Sequence, residues 1–200
     1  MTRFSLFLAI SALAFLCGCS SPDPAPAEPP ALGKGETILR EARQLEKSGD
    51  LKTAYIRYSE AMDHAGDLAV MRHIGLERAA LLLKMKRCNA ALAALEPMPE
   101  FPDNLYDCRK MMLAAKILQH MNIKGEYIEA LMEVALDNHI DEPGVIPFKA
   151  AGYTELGKVY VANRKTRRAV KCFDFAAELY RKNNEPEKAQ TCANIRDYLK

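Results

Sequence analysis

Apolar side chains recur through most of this chain at helical spacing, three and four residues apart, and each such run is bounded by a polar turn or a Pro-rich break. The clearest case spans residues 150–184. Tyr153, Leu156, Gly157 and Tyr160 share one side of a first helix, and Ala169, Phe173 and Ala176 share one side of a second. The basic segment around Arg164 and Lys165 joins them. Gly157 and Ala169 are small enough for two helices to approach closely, while Tyr160 and Phe173 fill the space beside that contact. The spacing predicts a helical hairpin.

The hairpin recurs. Aligned on Ala169, the equivalent positions are Ala54, Ala91 and Ala130, at steps of 37, 39 and 39 residues. The first unit runs over 36–65, with Ala42 and Leu45 on its first helix, a turn at Ser48-Gly49-Asp50, and Ala54, Tyr58 and Ala61 on its second. The second, over 70–97, has Ala79 and Leu82, then Ala91 and Leu95, and stops at the Pro-rich break 96–102. The third, over 103–138, reads as Leu118 and Met121, a turn at Gly125, then Tyr127, Ala130 and Val134. A second break at 141–147 precedes the fourth unit. After it, Pro186 marks a helix start, and Ala189, Cys192, Ile195 and Leu199 recur at helical spacing. This last helix reads as a cap, its outer side made polar by Lys188, Arg196, Asp197 and Lys200.

The order Leu, Gly/Ala, Tyr, then Ala, Phe, Ala at these offsets resembles the tetratricopeptide repeat. The resemblance implies an all-α solenoid of about four hairpins plus a C-terminal capping helix. Composition agrees, since Ala, Leu, Lys, Glu and Arg dominate and β-branched runs are scarce. The resemblance also implies ligand contacts from fixed places on the first helices. Carried onto this chain, these are Arg43 and Glu46; His73, Leu83 and Lys84; Met112, Gln119 and Asn122; and Thr154, Lys158 and Val161. Such a groove suits an extended peptide or a helix. The Lys/Asn clamp that some members use for a C-terminal carboxylate is not reproduced.

The N-terminus reads as an address. Arg3 precedes an apolar run, Phe4–Leu16, that suits a signal segment and is too short to span a bilayer comfortably. It ends in Leu16-Cys17-Gly18-Cys19, which resembles a bacterial lipobox. That resemblance implies a signal peptide over 1–18, cleavage after Gly18 and acylation of Cys19, with several acyl chains anchoring the protein to the membrane. Ser20, where the familiar sorting rule has Asp for inner-membrane retention, favours the outer membrane and a periplasmic domain. The alternative is an ordinary secretory signal cut near Gly18, with Cys19 a bystander. Residues 20–35, SSPDPAPAEPPALGKG, read as an extended tether. At about 3.1 Å per residue it spans up to roughly 50 Å. The repeat domain is expected over 36–200.

Charge and chemistry narrow the function by exclusion. Formal net charge is +2, so bulk charge gives no reason to expect nucleic acid or an acidic substrate as partner. The densest basic run, Arg164, Lys165, Arg167, Arg168 and Lys171, reads as a solvated turn or as a patch for an acidic partner or lipid surface. His64, His73, His120 and His139 form no i,i+4 pair, and no phosphate loop, nucleophile elbow or dinucleotide fingerprint is present. No metal, cofactor or catalytic residue is expected. Besides Cys17 and Cys19 there are Cys88, Cys108, Cys172 and Cys192, in two pairs each separated by twenty positions. In an exported chain this leads us to expect the disulfides Cys88–Cys108 and Cys172–Cys192. The expectation is therefore a non-catalytic, lipid-anchored periplasmic adaptor that docks another envelope protein. The alternatives are a lipoprotein that binds cell-wall glycan or lipid, and a regulatory subunit of a cell-wall enzyme.

Overall fold

The computed structural model describes residues 33–123 and 125–200. The expected signal segment, Cys19, the expected tether up to Leu32, and Lys124 lie outside the described residues. Among the described residues the secondary structure is helical: α1 (Lys34–Ser48), α2 (Leu51–Asp63), α3 (Leu68–Lys84), α4 (Cys88–Ala93), α5 (Leu105–His120), α6 (Gly125–Leu136), α7 (Val145–Ala162), α8 (Thr166–Lys182) and α9 (Pro186–Tyr198). The first helix thus starts two residues ahead of the expected boundary at Glu36. Each helix packs on its chain neighbours, and the first helices α3, α5 and α7 also meet in succession. This is the stacking of an α-solenoid, in which each hairpin buries its face against the next.

One turn design sets the register of the whole array. Gly49, Lys86, Asn122, Arg164 and Asn184 all adopt left-handed backbone, with φ of 89°, 60°, 56°, 59° and 57°. The residue after each donates its N–H to a carbonyl five positions back: Asp50 to Leu45, Arg87 to Leu82, Ile123 to Leu118, Lys165 to Tyr160 and Glu185 to Tyr180. Each left-handed residue also donates to the carbonyl three positions back. This pair of bonds is the Schellman ending, which uses up carbonyls a helix terminus leaves without partners. Three helix starts, those of α2, α3 and α5, are covered by side chains. Asp50 accepts from Thr53 N at 3.2 Å, Asp67 from Ala69 N at 2.8 Å and Asn104 from Asp107 N at 3.0 Å.

Counting back three residues from each large turn residue gives a small buried one: Ala42, Ala79, Ala115, Gly157 and Ala177. The third unit therefore carries Ala115 and Leu118 at these places, not Leu118 and Met121. Its second helix is displaced as well, because its turn is one residue longer. Ile128, Met132 and Ala135 face the core, whereas Ala130 is exposed and Tyr127 is 59% exposed. The expected Ala130 and Val134 register is thus wrong by two residues. The core-facing steps become Ala54, Ala91, Ile128 and Ala169.

The core forms three linked clusters along the array. Leu39, Ala42, Ala54, Tyr58, Ala61, Ile74 and Leu81 hold the first hairpin to α3. Leu76, Ala79, Leu82, Ala91, Leu95, Ala114 and Ile117 hold the middle. A larger cluster runs from Ala115 to Cys192 and includes Phe173 and the cap residue Ala189. Full burial of a ring such as that of Tyr58 or Phe173 contributes about 1.5–3 kcal/mol. At Gly157 the helices approach closely: a Cβ there would sit 3.0 Å from Cζ of Phe173.

Candidate functional site

The first helices form a groove. Ala80, Leu83 and Lys84 of α3 face Leu113, Lys116 and His120 of α5 across a hollow of about 560 Å³, with Lys86 and Cys88 at its end. A second hollow, of about 220 Å³, lies between Met112, Leu113, Lys116 and Gln119 of α5 and Glu155 and Val159 of α7. Leu113 and Lys116 line both, so the groove is continuous across three first helices. Its floor is apolar at Leu83, Met112, Leu113 and Val159, and its rim carries Lys84, Lys116, His120 and Gln119. An apolar floor with a few polar groups at fixed places is the usual makeup of a recognition cleft.

At the α1 end the polar groups are already engaged with one another. Arg43 donates from Nε and Nη2 to both carboxylate oxygens of Glu77, at 3.0 and 2.8 Å, and its Nη2 is 3.1 Å from His73 Nε2. Glu46 accepts from Tyr58 Oη at 2.7 Å and from Lys84 Nζ. Burial works against ionisation of Glu46, but these two hydrogen bonds and the charges of Lys84 and Arg43 outweigh it, so its carboxyl is held below the usual range. Tyr58 is shifted upward, first by burial and then by its bond to Glu46. These links tie α1, α2 and α3 into one polar cluster.

The expected contact residues thus divide. Leu83, Lys84, Met112 and Gln119 line the groove. Arg43, Glu46 and His73 stand in the polar cluster at its end, and His73 also borders a separate hollow with Arg72, Tyr106 and Arg109. Asn122 lines neither hollow and occupies the left-handed turn position. Thr154 is turned under the cap: its Oγ1 donates to Ala150 O at 2.9 Å and lies 3.5 Å from Cys192 Sγ of α9. Lys158 pairs with Glu155 at 2.7 Å, and Val161 is exposed. Lys116 and His120 are groove residues that the sequence register passed over. The three-residue shift in α5 explains the omission, and the signal that finds them is Asn122, a residue type suited to the left-handed turn.

The four cysteines carry free thiols, so neither Cys88–Cys108 nor Cys172–Cys192 is bonded in the structure. Their surroundings differ within each pair. Cys108 is buried with its Sγ 3.3 Å from Asn138 Nδ2, whereas Cys88 is half-buried beside Lys84 and Lys116. Cys172 lines a hollow with Tyr153 and Leu156, whereas Cys192 meets Thr154. Burial pushes the Cys172 thiol up to about 11. Cys172 and Cys192 nevertheless belong to one core cluster, beside the adjacent α7 residues Tyr153 and Thr154.

The basic turn is only partly available. Lys165 Nζ lies 2.6 Å from the buried carboxylate of Glu129, which also accepts from Asn163 Nδ2 at 2.6 Å. Arg168 lies over the Tyr160 ring at 5.7 Å and 3.6 Å from Glu133. These two side chains knit the fourth hairpin to α6, leaving Arg164, Arg167 and Lys171 on the surface. Among the described residues, no group of three or more His, Cys, Asp and Glu side chains is placed to hold a metal ion. No described helix is long and apolar enough to cross a membrane.

No protein-family model matches the sequence, and no curated protein sequence matches it. Solved structures do resemble its fold. BtubC (BKLC) from P. vanneervenii superposes with a TM-score of 0.58 at 19% identity, over 82% of this chain and 78% of that one. The MamA RS-1 ArsTM double mutant gives 0.51 at 20% identity, over 75% and 77%. A Podosopora anserina putative kinesin light chain with nearly identical TPR-like repeats gives 0.54 at 12% identity, over 82% and 93%. At these identities the likeness is one of architecture, and it agrees with the repeated turns and helix contacts in making this chain a TPR-like α-solenoid.

Proposed function

We propose that this protein is a non-catalytic adaptor, anchored through acylated Cys19 to a bacterial envelope membrane, the outer one by the Ser20 rule, with its solenoid in the periplasm. It docks another envelope protein along the groove of α3, α5 and α7. The observation that carries this reading is the continuous groove itself, with Leu83, Met112, Leu113 and Val159 as floor and Lys84, Lys116 and His120 at the rim. A peptide or helix laid across it makes apolar contacts below and polar contacts at the edges. The N-terminal motif Leu16-Cys17-Gly18-Cys19 supports the anchor.

The test is capture from detergent-solubilised envelopes by full-length protein, wild type against the Leu83→Glu, Leu113→Glu double variant. A stoichiometric protein partner that the double variant loses is expected. Retention on purified peptidoglycan with no protein partner, or capture indifferent to the double variant, argues against the groove. Cys19→Ser is expected to move the protein from the membrane to the soluble envelope fraction; unchanged membrane association removes the lipid anchor.

A further inference from the structure

A second apolar hollow lies among α4, α5 and α6, and none of its lining residues lines the groove. It arises from two irregularities of the array. The second helix of the second unit, α4, has 6 residues, against 13, 12 and 17 in α2, α6 and α8. Its course is broken at Pro97, where the Pro-rich segment begins. At 1.5 Å per residue, a helix as long as α2 would extend about 10 Å further. In the space beside the shortened helix lies a hollow of about 440 Å³.

The neighbouring helix presents a face suited to that space. Tyr127, Ala130, Leu131 and Val134 of α6 line the hollow. They stand at i, i+3, i+4 and i+7, the stripe of a helix that packs against another. This is the same stripe that the sequence pattern assigned to the core. The longer turn of the third unit rotates it outward, so that Tyr127 and Ala130 are exposed while Leu131 and Val134 are half-buried. Met98 and Met111 form more of the apolar lining, and methionine adapts readily to varied partners. The charged residues lining the hollow are Glu96 and Glu100, with no Lys or Arg among them.

We infer that this hollow is a docking slot for a short amphipathic helix of a partner protein, one whose apolar face is flanked by Lys or Arg. Shape comes from the shortened α4, apolar contact from the α6 stripe, and the sign of the flanking charge from the Glu96 and Glu100 rim. The slot shares α5 with the groove but no lining residue, so a substitution in one leaves the other's lining unchanged. One molecule thereby has two faces for two partners or for two segments of one.

The experiment uses full-length protein in detergent and two fluorescent model helices of about fourteen residues, long enough to form helix on binding. One carries a Leu face flanked by Lys, the other the same face flanked by Glu. Comparing variants in the same detergent cancels partition of the peptides into micelles. Wild type is expected to prefer the Lys peptide. Ala130→Gln, a change at an exposed position, is expected to weaken it about tenfold by placing a polar group in the slot. Glu96→Gln with Glu100→Gln is expected to erase the preference while leaving apolar binding. Leu83→Glu, on the other face, is expected to change nothing. Absence of binding, equal binding of the two peptides to wild type, or binding lost through Leu83→Glu and not through Ala130→Gln overturns the inference.

Discussion

Adding a single methyl group at Gly157 tests the packing logic of the array directly. In an ordinary helix interior, Gly→Ala stabilises by about 0.5–1 kcal/mol, because glycine gives up more backbone freedom on folding. At Gly157 the new Cβ would lie 3.0, 3.1 and 3.2 Å from Cζ, Cε2 and Cε1 of Phe173. That ring is 1% exposed and has no open side into which to move. Overpacking of this kind costs about 1–3 kcal/mol. The steric cost exceeds the backbone gain, so Gly157→Ala is expected to destabilise by about 1–2 kcal/mol. For a domain of this size that lowers the melting temperature by roughly 3–6 °C. The origin is checked by repeating the change in a Phe173→Leu background, which lacks the crowding ring atoms. There the same methyl is expected to stabilise by about 0.5–1 kcal/mol, a change of sign that a double-mutant cycle reads as coupling. Gly75 is the control: it lies within α3, a Cβ there meets nothing within 4 Å, and Gly75→Ala is expected to stabilise by about 0.5–1 kcal/mol. Urea titrations followed by circular dichroism at a helix wavelength measure all of these. A stabilising Gly157→Ala in the wild-type background, or an equal effect in both backgrounds, refutes the argument.

Other outcomes follow from the polar links. Lys165→Met leaves the Glu129 carboxylate, 4% exposed, with Asn163 as its remaining partner. The expected loss is about 2–3 kcal/mol, below the 3–5 of a fully buried pair because Lys165 itself is one-third exposed. Glu129→Gln combined with Lys165→Met should recover most of it in the same urea assay. Glu46 has a folded-state pKa below its unfolded value of about 4.3, so its stabilising contribution is present above that pH and is lost as pH falls through the folded value. Acid titration of Glu46→Gln should show a shallower loss of stability below pH 4.3 than wild type, by about one carboxylate's share. Iodoacetamide at pH 8 should label half-buried Cys88 well before buried Cys172, whose thiol is pushed up to about 11. Non-reducing peptide mapping of protein from envelopes tests the expected bridges: peptides joining Cys172 to Cys192 and Cys88 to Cys108 support them, and four free thiols remove them.

The residues that were legible in advance are those whose role is local. Ala54, Tyr58 and Ala61 of the first unit, and Gly157, Tyr160, Ala169, Phe173 and Ala176 of the fourth, are buried as their spacing requires. Pro186 starts the cap helix at the expected place.

By itself, then, the sequence determined the helical class, the repeat and its cap, because helical period and small–large alternation are properties of neighbouring residues. It also carries the lipobox-like pattern Leu16-Cys17-Gly18-Cys19, a linear motif. The structure decided register. A turn one residue longer at Asn122 rotates α6 by about 100°, which makes Ile128 the packed residue in place of Tyr127, and Ala130, two residues from Ile128, lies on the surface. It decided which charged groups are free, since Lys165 and Arg168 meet acids on α6, more than thirty residues away in sequence. It also decided that the groove runs through Lys116 and His120 and that a second hollow opens beside the shortened α4. These depend on contacts between helices, and a one-residue change in a connection redirects a whole helix face without disturbing the periodicity that announces the helix.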